Sequence, residues 1–133
     1  MFDITINYWS VVAATIASVI LGVLWYNKAL FGKQWMKMSG LPDKKPEGQG
    51  KMMLFGFIST FVQAFVLANI VGMFGGGVGA GLQAGFWMWL GFQGTLTLGS
   101  VLWERKPFQL WVLNNGYNLI ALLLMGLILG YWA

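Results

Sequence analysis

The chain has 133 residues, of which 58% are hydrophobic and 9% are charged, and it contains neither cysteine nor histidine. Soluble domains carry about 25% charged residues, so this composition favours an integral membrane protein. The missing side chains exclude disulfides, iron–sulfur clusters, thiol nucleophiles, imidazole bases and ordinary zinc or haem sites. Four acidic residues leave little material for paired-carboxylate catalysis, and neither a cofactor nor a metal is predicted.

Long stretches without ionisable residues define the membrane spans. A bilayer core about 30 Å thick needs roughly 20 apolar helical residues, so the first and last stretches hold one span each and the middle stretch holds two. The glycine-rich run 75–81 divides the middle stretch, because glycine favours a turn. The predicted spans are residues 8–30, 52–74, 82–103 and 108–132. Residues 1–133 are therefore expected to form a single all-α membrane domain, a four-transmembrane-helix bundle.

Basic side chains are confined to two of the three connections between these spans. Six lysines lie in or beside the connection 31–51, namely Lys28, Lys33, Lys37, Lys44, Lys45 and Lys51, and the third connection holds Arg105 and Lys106. By the positive-inside rule both connections are cytoplasmic, which places both termini outside. The first span lacks a basic n-region and a cleavage site, so we expect it to stay in the mature protein.

A short amphipathic helix is predicted directly after the first span. Phe31, Trp35 and Met38 stand at positions i, i+4 and i+7 and share one helical face, whereas Lys33 and Lys37 point the opposite way. Such a pattern is typical of a helix that lies in the membrane interface. The segment 42–50 is polar and rich in proline and glycine, which favours an exposed loop.

The lysines of this connection have two interpretations. Near an anionic leaflet each lysine contributes about 1 kcal/mol of attraction, so the segment is a candidate site for acidic lipids or a partner. Alternatively, the lysines only set the topology and anchor a helix. The candidate lipid or partner interface comprises Trp25, Tyr26, Phe31, Lys33, Trp35 and Lys37.

Neutral polar residues are the only polar side chains predicted inside the membrane. The lack of an ionisable residue there argues against a proton-coupled exchanger of the small multidrug-resistance type, which has a similar size and layout. The candidate polar cavity comprises Gln63, Gln93, Thr97, Ser100, Asn114 and Asn118. These side chains either surround a small neutral solute or lipid headgroup, or form interhelical hydrogen bonds of about 0.6 kcal/mol each.

Small residues recur at helix-packing spacing in three spans. The rows are Ser10, Ala14, Ser18 and Gly22, then Gly81 and Gly85, then Gly126 and Gly130. Rows of this kind let helices approach closely, either within one chain or between chains. They predict tight packing, and they make a homo-oligomer a further expectation.

Two segments resemble a known family. Trp25-Tyr26 is followed by Phe31-Gly32-Lys33 and Trp35-Met36, and the run 113–118 continues into 124–126. Together they resemble the DUF1761 family of bacterial membrane proteins, a domain of unknown function. The resemblance covers essentially the whole chain and implies a small four-span protein of the bacterial cytoplasmic membrane. It supplies no catalytic or binding residues.

Two functions follow from these patterns. The first is a non-enzymatic, self-associating helical bundle that binds membrane lipids, anionic ones above all, at its basic cytoplasmic interface. The alternative is a channel or facilitator for a small neutral solute, lined by polar residues of the third and fourth spans. Helical spacing brings no two acidic residues together, so an enzyme is not expected, and no nucleic-acid partner is predicted.

Overall fold

The computed structural model describes residues 6–27, 29–40 and 48–133, and within these ranges every regular element is a helix. In chain order the elements are α1 (Tyr8–Trp25), α2 (Gly32–Ser39), α3 (Gln49–Met73), α4 (Val78–Met88), a π-helix (Trp89–Gly94), α5 (Thr95–Thr97), α6 (Gly99–Leu102) and α7 (Phe108–Trp132). Several features used above lie outside the described residues: Lys28, Lys44, Lys45 and the segment 42–47 of the predicted loop.

Three helices, α1, α3 and α7, are long and apolar enough to cross a membrane. The all-helical prediction is thus confirmed for the described part of the chain, together with three helices suited to a multi-pass membrane protein. The stretch predicted as the third span is helical but is not one long α-helix. It consists of α4, the π-helix, α5 and α6, with a turn at Leu98 between the last two.

Helix α7 lies at the centre of the structure and contacts α1, α3, α4, the π-helix and α2. Helix α3 also contacts α1 and α4, so the four longest helical paths enclose a common core. The buried core side chains are Val11, Ala14, Ala64, Leu67, Val71, Ala84, Leu122, Met125 and Leu129. Three of these are alanines, which lets the helix backbones approach one another closely.

The two glycine pairs of the third and fourth predicted spans pack directly against each other. A Cβ atom added to Gly81 would overlap the carbonyl oxygen of Gly126, and one added to Gly126 would overlap the carbonyl oxygen of Gly81. One turn away, the Gly77 amide donates to the Gly130 carbonyl over 3.0 Å. Gly85 meets the backbone of α7 in the same way. These glycines therefore serve the α4–α7 contact inside the chain.

The small-residue row of α1 also packs inside the chain. Ser10, Ala14 and Ser18 are buried in the bundle. At Gly22 an added Cβ would lie 3.0 Å from the Tyr117 hydroxyl of α7. None of the three rows is left as an open surface on which a second copy would pack, so the expected homo-oligomer loses this support.

Helix boundaries differ from the predicted span ends at two places. Helix α1 ends at Trp25 rather than at residue 30, because the Asn27 side chain accepts a hydrogen bond from the Ala29 amide over 2.9 Å and starts a turn. Helix α4 begins at Val78, four residues before the predicted start. The turn between α3 and α4 is complete at Gly77, where φ is 93°, so the later glycines of the run continue as helix.

The first half of α3 stands apart from the bundle. Every residue from Gln49 to Ser59 is exposed, whereas Ala64, Leu67 and Val71 are fully buried. The exposed half carries large apolar side chains on all sides, among them Met53 and Phe55. A helix segment that is apolar all round and unpacked is typical of a surface covered by lipid or by another helix.

Candidate functional site

An aromatic cluster joins α1, α2 and α7 near the end of α1. It consists of Trp25, Tyr26, Phe31, Trp35 and Tyr117, which we call the aromatic hinge. Ring centroids lie 4.7 Å apart for Trp25 and Phe31, 5.6 Å for Tyr26 and Trp35, and 5.5 Å for Tyr26 and Tyr117. Tilted and edge-to-face pairs at these distances each contribute about 0.5–1.5 kcal/mol beyond simple burial. The sequence places four of these residues in one motif, and the structure adds Tyr117.

Hydrogen bonds fix the aromatic hinge to its neighbours. The Trp25 indole donates to the Leu113 carbonyl over 3.1 Å, and the Tyr26 hydroxyl donates to Asn114 Oδ1 over 2.7 Å. In the opposite direction, the Tyr117 hydroxyl donates to the Ser18 carbonyl over 3.0 Å. The end of α1 is therefore bonded to the polar face of α7, which connects the two candidate sites that the sequence predicts separately.

A tight turn carries the chain from α1 into α2. The Gly32 amide donates to the Asn27 carbonyl over 2.9 Å, and the Phe31 amide donates to the Trp25 carbonyl over 3.2 Å. Gly32 is buried, and a Cβ added there would overlap the Tyr26 carbonyl oxygen. The Phe31-Gly32-Lys33 motif thus needs glycine at its centre because the backbone passes so closely.

Helix α2 separates an aromatic face from a charged one. Trp35 is half-buried against Tyr26, whereas Lys33 and Lys37 are exposed. The helix ends at Ser39, and Gly40 adopts the left-handed conformation with φ 71°, which glycine reaches without steric cost. The arrangement holds α2 against the bundle by its rings and leaves both ammonium groups accessible.

A cleft of about 690 Å³ lies between the first half of α7 and the segment formed by α5, α6 and the turn that follows them. Its lining is Leu96, Thr97, Gly99, Ser100, Trp103, Glu104, Lys106, Leu110, Trp111, Asn114, Asn115 and Asn118. Four of the six predicted cavity residues are among them: Thr97, Ser100, Asn114 and Asn118. The structure therefore brings these four together around one space.

The two glutamines of the predicted cavity lie elsewhere. Gln63 and Gln93 line a smaller pocket of about 200 Å³, between α3 and the π-helix. Gln93 falls within the π-helix, in which each hydrogen bond spans one more residue than in an α-helix. The Gln93 side chain thus lines a different space from Thr97, although the Thr97 hydroxyl donates to the Gln93 carbonyl.

Asn115 is the centre of the polar network and is not among the predicted site residues. It is buried; its Oδ1 accepts from the Thr97 hydroxyl over 3.0 Å, and its Nδ2 donates to the Trp111 carbonyl over 3.1 Å. Its own carbonyl accepts from the Trp89 indole over 2.9 Å. In the described ranges no buried side-chain nitrogen or oxygen lacks a partner. Asn115 therefore ties α7 to the π-helix.

Three further cleft residues are missed as site residues by the sequence interpretation. Trp103, Glu104 and Lys106 are not among the predicted cavity residues, yet all three line the cleft. The turn that holds them is well defined: the Lys106 amide donates to the Ser100 carbonyl over 3.0 Å, and Arg105 has φ 58°. The sequence feature that could have indicated them is one acidic residue, Glu104, followed by two basic residues at the end of a span.

The cleft offers amides, hydroxyls, two indole rings, one carboxylate and one ammonium group. In the described part of the chain no three His, Cys, Asp or Glu side chains are grouped as a metal site would need. The chemistry of the lining therefore consists of hydrogen bonds and opposite charges.

Comparisons with known proteins give one match. No curated protein and no solved structure matches the chain. A family model described as a protein of unknown function (DUF1761) matches residues 9–130, which is nearly the whole chain. The match confirms the resemblance that the two sequence segments carry. The chain belongs to the DUF1761 family.

Proposed function

We propose that the chain is a four-span bundle of the bacterial cytoplasmic membrane with both termini outside. The third span is the helical path 78–102, which at about 1.5 Å per residue extends roughly 35 Å and exceeds the hydrocarbon thickness of about 30 Å. Its close contact with α7 supports a position within the bundle. The basic residues of the first and third connections support the orientation.

Within this bundle we assign a non-enzymatic, lipid-binding role to α2. The observation that carries the proposal is the geometry of α2: its rings are held by the aromatic hinge, while Lys33 and Lys37 are exposed together. In the proposed orientation both ammonium groups lie at the level of the phospholipid headgroups. A docked helix presents its charges without the cost of ordering a free segment, which favours anionic lipids.

Anionic lipid retention tests this role. Lys33→Gln and Lys37→Gln are each expected to weaken retention of phosphatidylglycerol about fivefold, since each lysine contributes about 1 kcal/mol. The measurement is native mass spectrometry of the full chain in mild detergent with added lipid. Gln34→Asn, on the same helix without a change of charge, is the control. Unchanged retention in the Lys33→Gln/Lys37→Gln double variant would contradict the proposal.

The proposal includes self-association, but through a surface other than the small-residue rows. Because the small-residue rows pack within the chain, we assign self-association to the first half of α3, Gln49–Ser59, in which every residue is exposed. The mass spectra that report lipid retention also give the number of chains in each particle.

A channel or facilitator for a small neutral solute is the second candidate. The cleft favours it, because four of the predicted lining residues surround one space of sufficient volume. Beyond the cleft, however, α4 and α7 meet backbone to backbone at Gly81 and Gly126. A route between these two helices would have to open there, so the cleft is better suited to binding than to conduction.

Solute flux into liposomes tests the second candidate. For a conducting cleft, Asn118→Leu is expected to lower the flux of a small neutral solute at least tenfold, because an amide that offers hydrogen bonds to the solute is lost. Ile120→Leu, at an exposed position of the same helix, is the control. Equal flux through empty liposomes and liposomes that contain the chain would remove this candidate.

A further inference from the structure

The mouth of the cleft carries one positive and one negative side chain. Glu104 and Lys106 are both exposed and both line the cleft, and no other charged side chain among the described residues lines it. The turn that contains them is fixed by the bonds from the Trp103 amide to the Gly99 carbonyl, 2.8 Å, and from the Lys106 amide to the Ser100 carbonyl. The backbone that carries the two opposite charges is thus fixed where it borders the cleft.

The remaining lining residues follow one another along the chain from this turn into α7. Trp103 directly precedes Glu104, Trp111 lies at the beginning of α7, and Asn114 and Asn118 lie about one and two turns further along that helix. Asn114 uses its Oδ1 atom to accept from Tyr26, which leaves its Nδ2 group as the donor that it can offer to the cleft. Along the chain, the two charged residues are thus followed by an indole ring and then by the asparagine amides of α7.

This order matches the order of groups in a zwitterionic phospholipid. An anionic phosphoryl group pairs with Lys106, and a primary ammonium group pairs with Glu104 and stacks on the indole faces. The ester carbonyls, which are acceptors, then lie at the depth of the asparagine amides. A purely anionic ligand would face the Glu104 carboxylate, and a purely cationic one would face Lys106.

We propose that the cleft binds a phosphoryl–ammonium zwitterion, the headgroup chemistry of a phosphatidylethanolamine-type lipid. The volume of about 690 Å³ holds the headgroup together with the glycerol region, and it lies within the usual range of small-molecule sites, roughly 300–1,000 Å³. The inference rests on the proposed placement of the bundle in the membrane, and it adds a ligand distinct from the anionic lipids at α2. A soluble phosphoethanolamine ester has the same chemistry and is the other source of such a ligand.

The test measures occupancy by phosphatidylethanolamine with native mass spectrometry of the full chain in detergent. Glu104→Gln and Lys106→Gln are each expected to reduce this occupancy at least fivefold, and Gln109→Asn, at an exposed position of α7 outside the cleft lining, is expected to leave it unchanged. Both substituted side chains are exposed, and the helical circular dichroism of each variant verifies that the fold is retained. Equal phosphatidylethanolamine occupancy in the wild-type chain and in both cleft variants overturns the proposal.

Two further measurements distinguish the lipid from the soluble ester as the source of the ligand, and they separate the proposal for the cleft from the proposal for α2. Binding of soluble glycerophosphoethanolamine with the same dependence on Glu104 and Lys106 supports the zwitterion site and identifies a soluble source. If only the intact lipid binds, and its binding depends on Glu104 and Lys106, the site is supported and the lipid is identified as the source of the ligand. If neither the lipid nor the soluble ester binds, the proposal is overturned. Phosphatidylglycerol retention and its loss in Lys33→Gln/Lys37→Gln test α2 separately, so failure of one proposal is distinguishable from failure of the other.

Discussion

Gly81→Ala is expected to lower the free energy of unfolding of the bundle by about 1–3 kcal/mol or more. The added methyl group would overlap the Gly126 carbonyl oxygen, which belongs to a helix backbone and cannot rotate away as a side chain would. Helices α4 and α7 would have to separate, and the core around Met125 and Leu129 would loosen with them. Thermal or denaturant unfolding in detergent, followed by circular dichroism, measures the change.

Gly79→Ala provides the matched control for that experiment. Gly79 lies in α4 only two residues away, and an added Cβ there meets nothing within 4 Å. Alanine is the better helix former by about 1 kcal/mol, so Gly79→Ala is expected to be neutral or stabilising. If both variants unfold alike, the α4–α7 contact does not have the close geometry described above.

Gly32→Ala is expected to release α2 from the bundle while the rest of the fold persists. The methyl group would overlap the Tyr26 carbonyl oxygen, so the turn must open and the contact between Trp25 and Phe31 is lost. A local cost of about 1–3 kcal/mol corresponds to roughly five- to 150-fold faster hydrogen exchange. The Trp35 amide, which donates to the Phe31 carbonyl over 2.9 Å, is the group to follow.

The control for Gly32 is Gly50→Ala in the first turn of α3. No atom lies within 4 Å of a Cβ at Gly50, so exchange in α2 should stay at the wild-type rate. Unchanged exchange of the Trp35 amide in Gly32→Ala would show that α2 is not held by this turn. The exposed lysines would then lose the rigid support on which the lipid-binding proposal depends.

Hydropathy and charge predict most of the helix positions, because the cost of burying charge in a membrane acts on every residue of a span. The helices α3 and α7 begin and end within three residues of the predicted limits. Local chemistry decides the exceptions. The end of α1 depends on a side-chain hydrogen bond of Asn27, and the start of α4 depends on which glycines take positive φ. Neither property follows from the average apolarity of a segment.

The π-helix is the largest local feature that the sequence does not reveal. It is accompanied by tertiary bonds: the Trp111 indole donates to the Gly94 carbonyl over 3.1 Å, and the Trp89 indole donates to the Asn115 carbonyl. These partners are about 17–26 positions apart in the chain. A pattern of 3.6 residues per turn therefore groups the side chains of Gln93 and Thr97, whereas in the folded chain they line different spaces.

The candidate sites were predictable to different degrees for a related reason. The aromatic hinge is encoded mainly by neighbouring residues, so a short motif identifies most of it, and only Tyr117 comes from a distant helix. The cleft depends on the packing of two helical paths, so spacing along each path finds Thr97 and Asn114 but not the central role of Asn115. The partners of the glycine rows are likewise fixed by packing alone.

Single-cysteine labelling tests the four-span account most directly, because the chain has no cysteine of its own. The informative substitutions are Gln34→Cys on α2, Phe74→Cys before the third path, Trp103→Cys after it and Ala133→Cys at the end of the chain. With a membrane-impermeant maleimide on intact cells, the account predicts labelling at Phe74 and Ala133. It predicts labelling at Gln34 and Trp103 only after the membrane is opened. Labelling of Phe74 and Trp103 from the same side would show that residues 78–102 do not cross the membrane, and would contradict the account.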